Sequence, residues 1–545
     1  MRNRSLPAAV FSVAAMAATS QQPPEPVDIA PISGDVYYLV NQRSGMQAGV
    51  QGSSQPVQES RSFTDMGQRW TLTRVSGGAW QIANAATGLC LEASGHPAER
   101  GPHADVPGTP LPVVQMSCSS IEAQRWALSA TRNGYYTITN QVTRLALDAG
   151  AALDQTPLSR RAPNQSQQWL LRPAYFRGFD NALLEKQEAA RVAYGLPWWN
   201  DNGRTEDVLE MFKSHGINMV RLRPGSVPPY ANVSAAGCAG NACYGETEAQ
   251  DLDVAKRARN LGMSIELTLL FDGGRSASVP PAWTSDTELS QLQADLYAYV
   301  KSEILAYRQA GTMPDLVAIG NEVDTGFLAQ IGSPTGQNFG GFAALQTTAA
   351  QAIKDAAADP SAGPPIPPPL TCIHITPAWD LTQFFTLANQ FKVPYDAICQ
   401  SYYPIYHGPL TDAQAAASNP NKQPVEQDVL TQAANNIAKP IFIIETGEHY
   451  ANGFQANDPW YLPPTPASQR QFMLDLQTVV QGLPNNLGMG IAWWDPAGVD
   501  IHSASGQLIN GDNLPDAIYV WNGLTLFDNT TASLLPAVDA LGGNP

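Results

Sequence analysis

Two stretches of the chain close an apolar run on a carboxylate. In "DLVAIGNE" the run 315–319 leads to Asn321 and Glu322, and in "PIFIIE" the run 440–444 leads to Glu445. Continuous apolar runs of this length suit strands covered on both faces rather than strands with one wet side. A charged group finishing such a strand stands at the rim of a core, where it can meet a substrate. Two carboxyl groups facing each other there could work on opposite sides of a glycosidic bond, one as general acid and the other as nucleophile or base. A separation of about 5–5.5 Å would give retention through a covalent intermediate, and roughly 6.5–9.5 Å would give inversion.

The elements that must hold these residues recur from about residue 173 onward. "YFRGFD" is followed by the amphipathic "EDVLEMFKSHG" and then "INMVRLR", and "AQDLDVAKRARNLG" leads to "MSIELTLLF". A long helical stretch leads to "PDLVAIGNE", after which come "LTCIHIT", "YDAICQSYY", "KPIFIIETG" and "MGIAWWDP" with helical sequence between them. Eight strand–helix units predict an α/β fold, a closed parallel TIM barrel, because such strands need helices outside and a filled lumen inside. Sites in these barrels lie at the C-terminal strand ends. Polar or aromatic residues stand at that point on other strands too: Arg221 and Arg223, His374, Tyr402 and Tyr403, and Trp493 and Trp494. Glu322 on the fourth strand and Glu445 on the seventh would face each other across the mouth. Arg223 or Arg221 would hold Glu445 ionised, since a nearby cation favours the charged form. Asn321 would hydrogen-bond a sugar hydroxyl, Tyr402 or Tyr403 would orient the nucleophile, and Trp493 or Trp494 would floor the sugar ring.

Bulk properties bound the rest. At 545 residues the chain has room for two or three compact units, and 43% hydrophobic content is ample for large cores. A formal net charge of −17 argues against nucleic acid or an anionic membrane surface as a partner. The N-terminus reads as a signal peptide over residues 1–18, with Arg2 and Arg4 before the apolar "LPAAVFSVAAMAA" and the small-x-small site Ala15-Met16-Ala17. A secreted, extracellular protein follows. Six cysteines fit that compartment. Cys90 is expected to pair with Cys118 and Cys238 with Cys243, while Cys372 and Cys399 could be bonded or free. No spacing resembles a zinc site and no acidic cluster has calcium-loop spacing, so neither metal nor cofactor is expected.

Residues 32–172 differ from the rest. "YYLVNQRSGMQA", "WQIANAATGLCLEA" and "YTITNQVTRLALDA" each run on to a Gln-x-Trp, at Gln68-Arg69-Trp70, Gln124-Arg125-Trp126 and Gln167-Gln168-Trp169. Short alternating runs repeated three times imply strands packed about an axis. This pattern resembles the ricin-type β-trefoil, an all-β domain whose repeated tryptophans form a shared core, and the resemblance implies a carbohydrate-binding domain with a sugar ligand. Asn84, Asn140 and Asp148 are candidate sugar contacts. The first repeat has Ala48 where the others have Glu92 and Asp148, so it is expected to bind nothing.

The barrel segment, 173–545, resembles glycoside hydrolase family 53, the arabinogalactan endo-β-1,4-galactanases of the retaining clan A. The similarity lies in "RGFDNALLEKQE", "HGINMVRLR", "PDLVAIGNEVDTG", "YDAICQSYYPIYHG" against the family's FDxIGxSYYPxWHG, "FIIETG", and "VWNGLTLFDNTTASLLPAV" against WxNxxLFDxxGxxLPS. The resemblance implies hydrolysis of β-galactan or arabinogalactan, with Glu322 as acid/base and Glu445 as nucleophile. It also implies supporting roles for Arg223, Asn321, His374, Tyr403, His407 and Trp494. One motif departs: after the third strand the family's HYSDxWADP is replaced by "LLFDGGRSASVPPAW", in which Asp272 and Pro281-Ala282-Trp283 are what remains. The alternatives are therefore a β-glycanase of the same clan acting on another sugar or linkage, or a carbohydrate-binding protein without turnover.

Overall fold

The computed structural model describes residues 30–51, 55–94, 110–150, 152–157, 164–180, 184–194, 197–224, 248–271, 276–334, 339–376, 381–417, 424–451, 458–497 and 523–543. The expected signal peptide and the Cys238/Cys243 pair lie outside these residues.

The N-terminal part is a twelve-stranded antiparallel sheet running from Val36 to Pro173. Trp70, Trp126 and Trp169 are fully buried at its centre. Each indole N–H donates to a backbone carbonyl of its own repeat: Trp70 to Ala48 at 2.9 Å, Trp126 to Leu91 at 3.1 Å, and Trp169 to Leu147 at 3.0 Å. A buried indole needs such a partner, and the repetition gives the core its threefold form. Asn84 and Asn140 are buried turn formers rather than surface groups. Their amides donate to Gly67 O and Ala123 O, both at 2.8 Å, and their Oδ1 atoms accept from the backbone two residues on. Asn41 does the same in the first repeat. The Gln-x-Trp glutamines reach the acidic groups: Gln68 donates to Glu59 and Gln124 to Glu92, while Gln167 donates to Thr156, which in turn donates to Asp148. The first repeat thus takes its carboxylate from Glu59 on the neighbouring strand, which compensates for Ala48. The predicted Cys90–Cys118 disulfide is present.

After the two residues Ala174 and Tyr175 the chain enters a closed parallel barrel. Its strands are β1 (Phe176–Asp180), β2 (Met219–Leu222), β3 (Ser264–Leu269), β4 (Leu316–Ile319), β5 (Leu370–Ile375), β6 (Ala397–Tyr402), β7 (Ile441–Thr446) and β8 (Gly488–Trp493). Alternate residues face inward, as the two-residue period of a strand requires. Phe176, Met219, Leu316, Ala318, Leu370, Cys372, Ala397, Cys399, Phe442 and Ala492 fill the lower lumen. The residues between them pack outward under the helices. Cys372 and Cys399 are joined, and the bond ties β5 to β6 within the lumen. The sequence had left that pairing open.

The trefoil sits against the N-terminal end of the barrel. Arg69 donates to Asn486 O at 3.0 Å, Arg132 to Gln309 O at 2.6 Å, and Gln165 to Pro365 O at 2.6 Å. The Met313 N–H donates to Asn133 at 3.2 Å, and Arg177 and Arg61 form ion pairs with Asp35 and Asp396. Apart from Arg177, near the start of β1, the barrel residues in this interface belong to segments that precede strands. Phe63 of the trefoil packs on both the lumen core and the outer layer.

Candidate active site

At the opposite, C-terminal end of the strands, charged and polar side chains converge. Arg221, on β2 and fully buried, is the hub. It donates through Nη1 to Glu445 Oε2 at 2.9 Å, through Nη2 to Asn321 Oδ1 at 2.7 Å, and through Nε to Thr268 Oγ1 at 3.1 Å. It also pairs with Asp180 at 2.9 Å and lies 3.5 Å from Glu266. Burial works against its charge, but Asp180, Glu445 and Glu266 together raise its pKa above the ordinary arginine value. It is a fixed cation. Burial also pushes the Glu266 carboxyl up to about 8, although Arg221 pulls the other way. Two guanidinium groups, Arg221 and Arg223, thus stand among the carboxyl groups of Asp180, Glu445 and Glu266.

Arg223 is therefore not the partner of Glu445. It pairs with Asp180 at 2.9 Å and stacks on Trp494 at 3.9 Å from the ring centroid. Tyr403 donates its hydroxyl to Glu445 Oε1 at 3.1 Å, so both oxygens of this carboxylate accept a bond from a fixed donor. Burial, then Glu445 and Glu322, hold the Tyr403 phenol well above its usual range, and it stays protonated. His407 accepts from the Tyr403 backbone N–H at 2.8 Å, which closes the short helix Pro404–His407. Burial pushes its pKa down to about 3, so the ring is neutral.

Glu322 is half-buried and holds a left-handed backbone, φ 48° and ψ 51°, uncommon for a residue with a side chain. Before it, Gly320 has φ +93°, and a Cβ there would lie 2.5 Å from Val323 Cγ1. The tight turn delivers Asn321 and Glu322 over the mouth. The turn is braced from both sides. The Asn321 N–H donates to Ser276 Oγ at 2.9 Å, and Asp324 accepts from the Thr376 backbone at 2.7 Å and hydroxyl at 2.5 Å. Ser276 belongs to the loop after β3, where the sequence departs from the family motif. Asp272 lies outside the described residues, and Trp283 is buried against Phe271 and Tyr299.

Ser401, at the end of β6, hydrogen-bonds Glu322 Oε1 at 2.9 Å and His374 Nε2 at 2.8 Å, and is paired in the sheet with Glu445. His374 is fully buried, and burial followed by Arg221 and Arg223 hold its pKa well below the ordinary value. Two expected residues are not in the group. Tyr402 is wholly buried outside the lumen, bonded to Gly408 O at 3.0 Å and stacked on Phe472. Trp493 is likewise buried, with its indole donating to Leu524 O at 2.9 Å. Strand alternation explains both: their neighbours Tyr403 and Trp494 are the inward members of each pair. Sequence reasoning passed over Ser401, Asp180, Thr268 and Glu266. Counting every second residue inward, from Ala397, Phe176 and Ser264 respectively, finds them all.

The arrangement offers one carboxylate held by an arginine and a phenol, and a second carboxyl held by a serine on a neighbouring strand. An amide locked by the same arginine and a half-buried indole complete it. Such a set can protonate a leaving group on one face of an acetal and attack or activate water on the other. Comparison with known proteins agrees with the geometry. Glycosyl hydrolase family 53 matches residues 176–541, and the ricin-type beta-trefoil lectin domain-like family matches 28–106 and 68–159. The arabinogalactan endo-beta-1,4-galactanase A of Aspergillus niger is 26% identical over 376 residues, which is 65% of this chain and 94% of the relative. The arabinogalactan endo-beta-1,4-galactanase of Thermothelomyces thermophilus is 26% identical over 351 residues, 61% and 91% of the two chains. In fold, the chain is similar to the GH53 catalytic domain of Ignisphaera aggregans, with a TM-score of 0.54 at 21% identity over 67% of this chain and 95% of that one. A fungal beta-1,4-galactanase structure gives a TM-score of 0.51 at 22% identity, over 67% and 98%. The catalytic unit thus spans a family match of well over half the chain, and the protein belongs to glycosyl hydrolase family 53.

Proposed function

We propose that the protein is a secreted, retaining endo-β-1,4-galactanase that cleaves galactan and arabinogalactan by double displacement. In this reading residues 1–18 are a signal peptide, 32–172 a carbohydrate-binding trefoil and 173–545 the catalytic domain. The observation that carries it is the grip on Glu445: Arg221 donates to one oxygen and Tyr403 to the other, which fixes and orients the nucleophile. Glu322 is the acid/base. Ser401 touches Glu322 and is paired with Glu445 in the ladder, which favours the short separation of a retaining pair. Asn321, its Oδ1 held by Arg221, is the residue assigned to the sugar's 2-hydroxyl. Trp494 lies under the ring.

In the first step Glu445 attacks the anomeric carbon while Glu322 gives its proton to the departing glycosidic oxygen. In the second, Glu322 takes a proton from water, which displaces Glu445 and restores the β configuration. Arg221 and Tyr403 follow the charge on Glu445 through both steps. Galactan as substrate is supported by the Aspergillus niger and Thermothelomyces thermophilus galactanases among the relatives, and secretion by the two disulfides found among the described residues.

The test is reducing-end release from β-1,4-galactan, with β-mannan, β-glucan and xylan alongside, for the wild type, Glu322→Gln and Glu445→Gln. Galactan cleavage lost in both variants is the expected result. Glutamate-dependent cleavage of another glycan would move the protein to a neighbouring specificity, which the altered loop after β3 would then explain. Silence on every glycan would leave a sugar-binding protein.

A further inference from the structure

Within ten residues after β4, five have positive φ: Gly320 at 93°, Glu322 at 48°, Gly326 at 149°, Leu328 at 49° and Ala329 at 60°. Three of the five carry side chains, and such backbone persists only where its surroundings hold it there. Ser276 and Ala277, in the loop after β3, supply those surroundings. Ser276 Oγ accepts from the Asn321 N–H at 2.9 Å, Ser276 O from the Leu328 N–H at 2.7 Å, and Ala277 O from the Ala329 N–H at 2.8 Å. The approach is close enough to require glycine. A Cβ on Gly326 would stand 2.9 Å from Ala277 Cβ, and one on Gly320 would stand 3.0 Å from Ser276 Oγ. Phe327 meets Phe271, just after β3, edge-on at 5.6 Å between ring centroids, which adds an apolar anchor. Two of the three bonds end on backbone carbonyls, which any residue type supplies. The third depends on the serine side chain, which is wholly buried, and it reaches the residue just before Glu322.

We propose that Ser276 is a positioning residue for Glu322, and that the loop after β3, where the sequence departs from the family motif, serves proton transfer. The inference rests on the reading of Glu322 as acid/base. By holding the N–H of Asn321, the serine fixes the direction in which the chain enters Glu322. Without the hydroxyl that N–H loses its acceptor inside the protein, and the turn must shift to find another. Arg221 still grips the Asn321 side chain, and Asp324 still accepts from Thr376 beyond the turn. The mouth therefore keeps its fold, and the displacement falls on the proton donor between these two anchors.

The experiment compares the wild type, Ser276→Ala and Ser276→Thr on galactan and on a series of aryl β-galactobiosides. The leaving groups run from dinitrophenol, which needs no proton, to phenol, which needs one. The expected result for Ser276→Ala is about a tenfold loss of kcat/KM on galactan and on the phenyl substrate, the scale of a slightly misplaced catalytic group. The loss on the dinitrophenyl substrate should be under about twofold, so kcat/KM falls more steeply with leaving-group pKa than in the wild type. Ser276→Thr keeps the acceptor and should bring the slope back. Equal losses along the series would overturn the proposal and make Ser276 a packing residue, whatever the Tm. A threonine variant with wild-type Tm and the steep slope of Ser276→Ala would overturn it too, because the acceptor would then be irrelevant. Glu322→Ala with azide tests the reading beneath it. Azide rescue on the dinitrophenyl substrate marks the acid/base, so rescue together with an unmoved Ser276→Ala slope sinks the inference alone. Failure of rescue sinks the reading of Glu322 as well.

Discussion

Arg221 concentrates more of the proposed chemistry than either glutamate, because one guanidinium fixes Glu445, Asn321 and Asp180. Lysine has the charge without the planar fork and cannot reach both carboxylate and amide. Arg221→Lys should therefore lower kcat/KM on galactan by about a hundredfold, read by reducing-end release. Glu266 makes a second expectation, in stability. Its carboxyl ionises near 4.5 in the unfolded chain and near about 8 in the fold. Across that window the native chain holds the extra proton, so stability falls as pH rises from the lower value to the upper. Glu266→Gln removes this one contribution, and its Tm between about pH 5 and pH 8 should fall less steeply than that of the wild type, as calorimetry would read. Which residues point where was already legible at this scale. The doublets Tyr402-Tyr403 and Trp493-Trp494 left a choice that period-two counting from Ala397 and Ala492 resolves. Arg221 lost its place to Arg223 for a different reason: both face inward, and depth in the lumen, which separates them, is not written in the pattern.

Among the elements, the eight strands were legible because each is a continuous apolar run closed by a polar residue, and the barrel follows from that count. The short irregularities that aim the site were not. The ladder slips between Gln400 and Ser401 against β7, and Glu322 adopts a left-handed backbone. Neither has a signal beyond Gly320, which sits where the chain must turn most tightly. Both irregularities fall on the proposed catalytic groups, where local regularity gives way to function. Gly320→Ala tests this. The added methyl meets Val323 at 2.5 Å in a backbone region that favours glycine, and the cheapest relief is to rotate the turn carrying Glu322. Activity on galactan should drop by about tenfold or more while Tm falls only a few degrees, since misplacement of an acid by about 1 Å is enough for such a loss.

For the whole molecule, the decisive fact is which end of the barrel the trefoil covers. It docks on the segments before the strands, with Phe63 against the lumen core, while Glu322 and Glu445 stand at the far end. The threefold Gln-x-Trp repeat revealed a trefoil, but nothing in it specifies the face against which it rests. That depends on scattered partners such as Arg69 with Asn486 and Arg177 with Asp35. Two residues separate the last trefoil strand from β1 and bonds cross the interface, so the trefoil is held at the end of the barrel away from the cleft. Under the proposed function, a trefoil that binds sugar would hold the enzyme on a glycan network from that end of the barrel. Phe63→Ala separates the two functions of the contact. Loss of a half-buried aromatic from the interface should cost about 2 kcal/mol, seen as a fall of a few degrees in Tm. The kcat/KM on a short soluble galactooligosaccharide should stay within about twofold of wild type, because the site lies at the other end of the strands. A large loss of that activity at unchanged Tm would mean that the trefoil reaches the catalytic end after all.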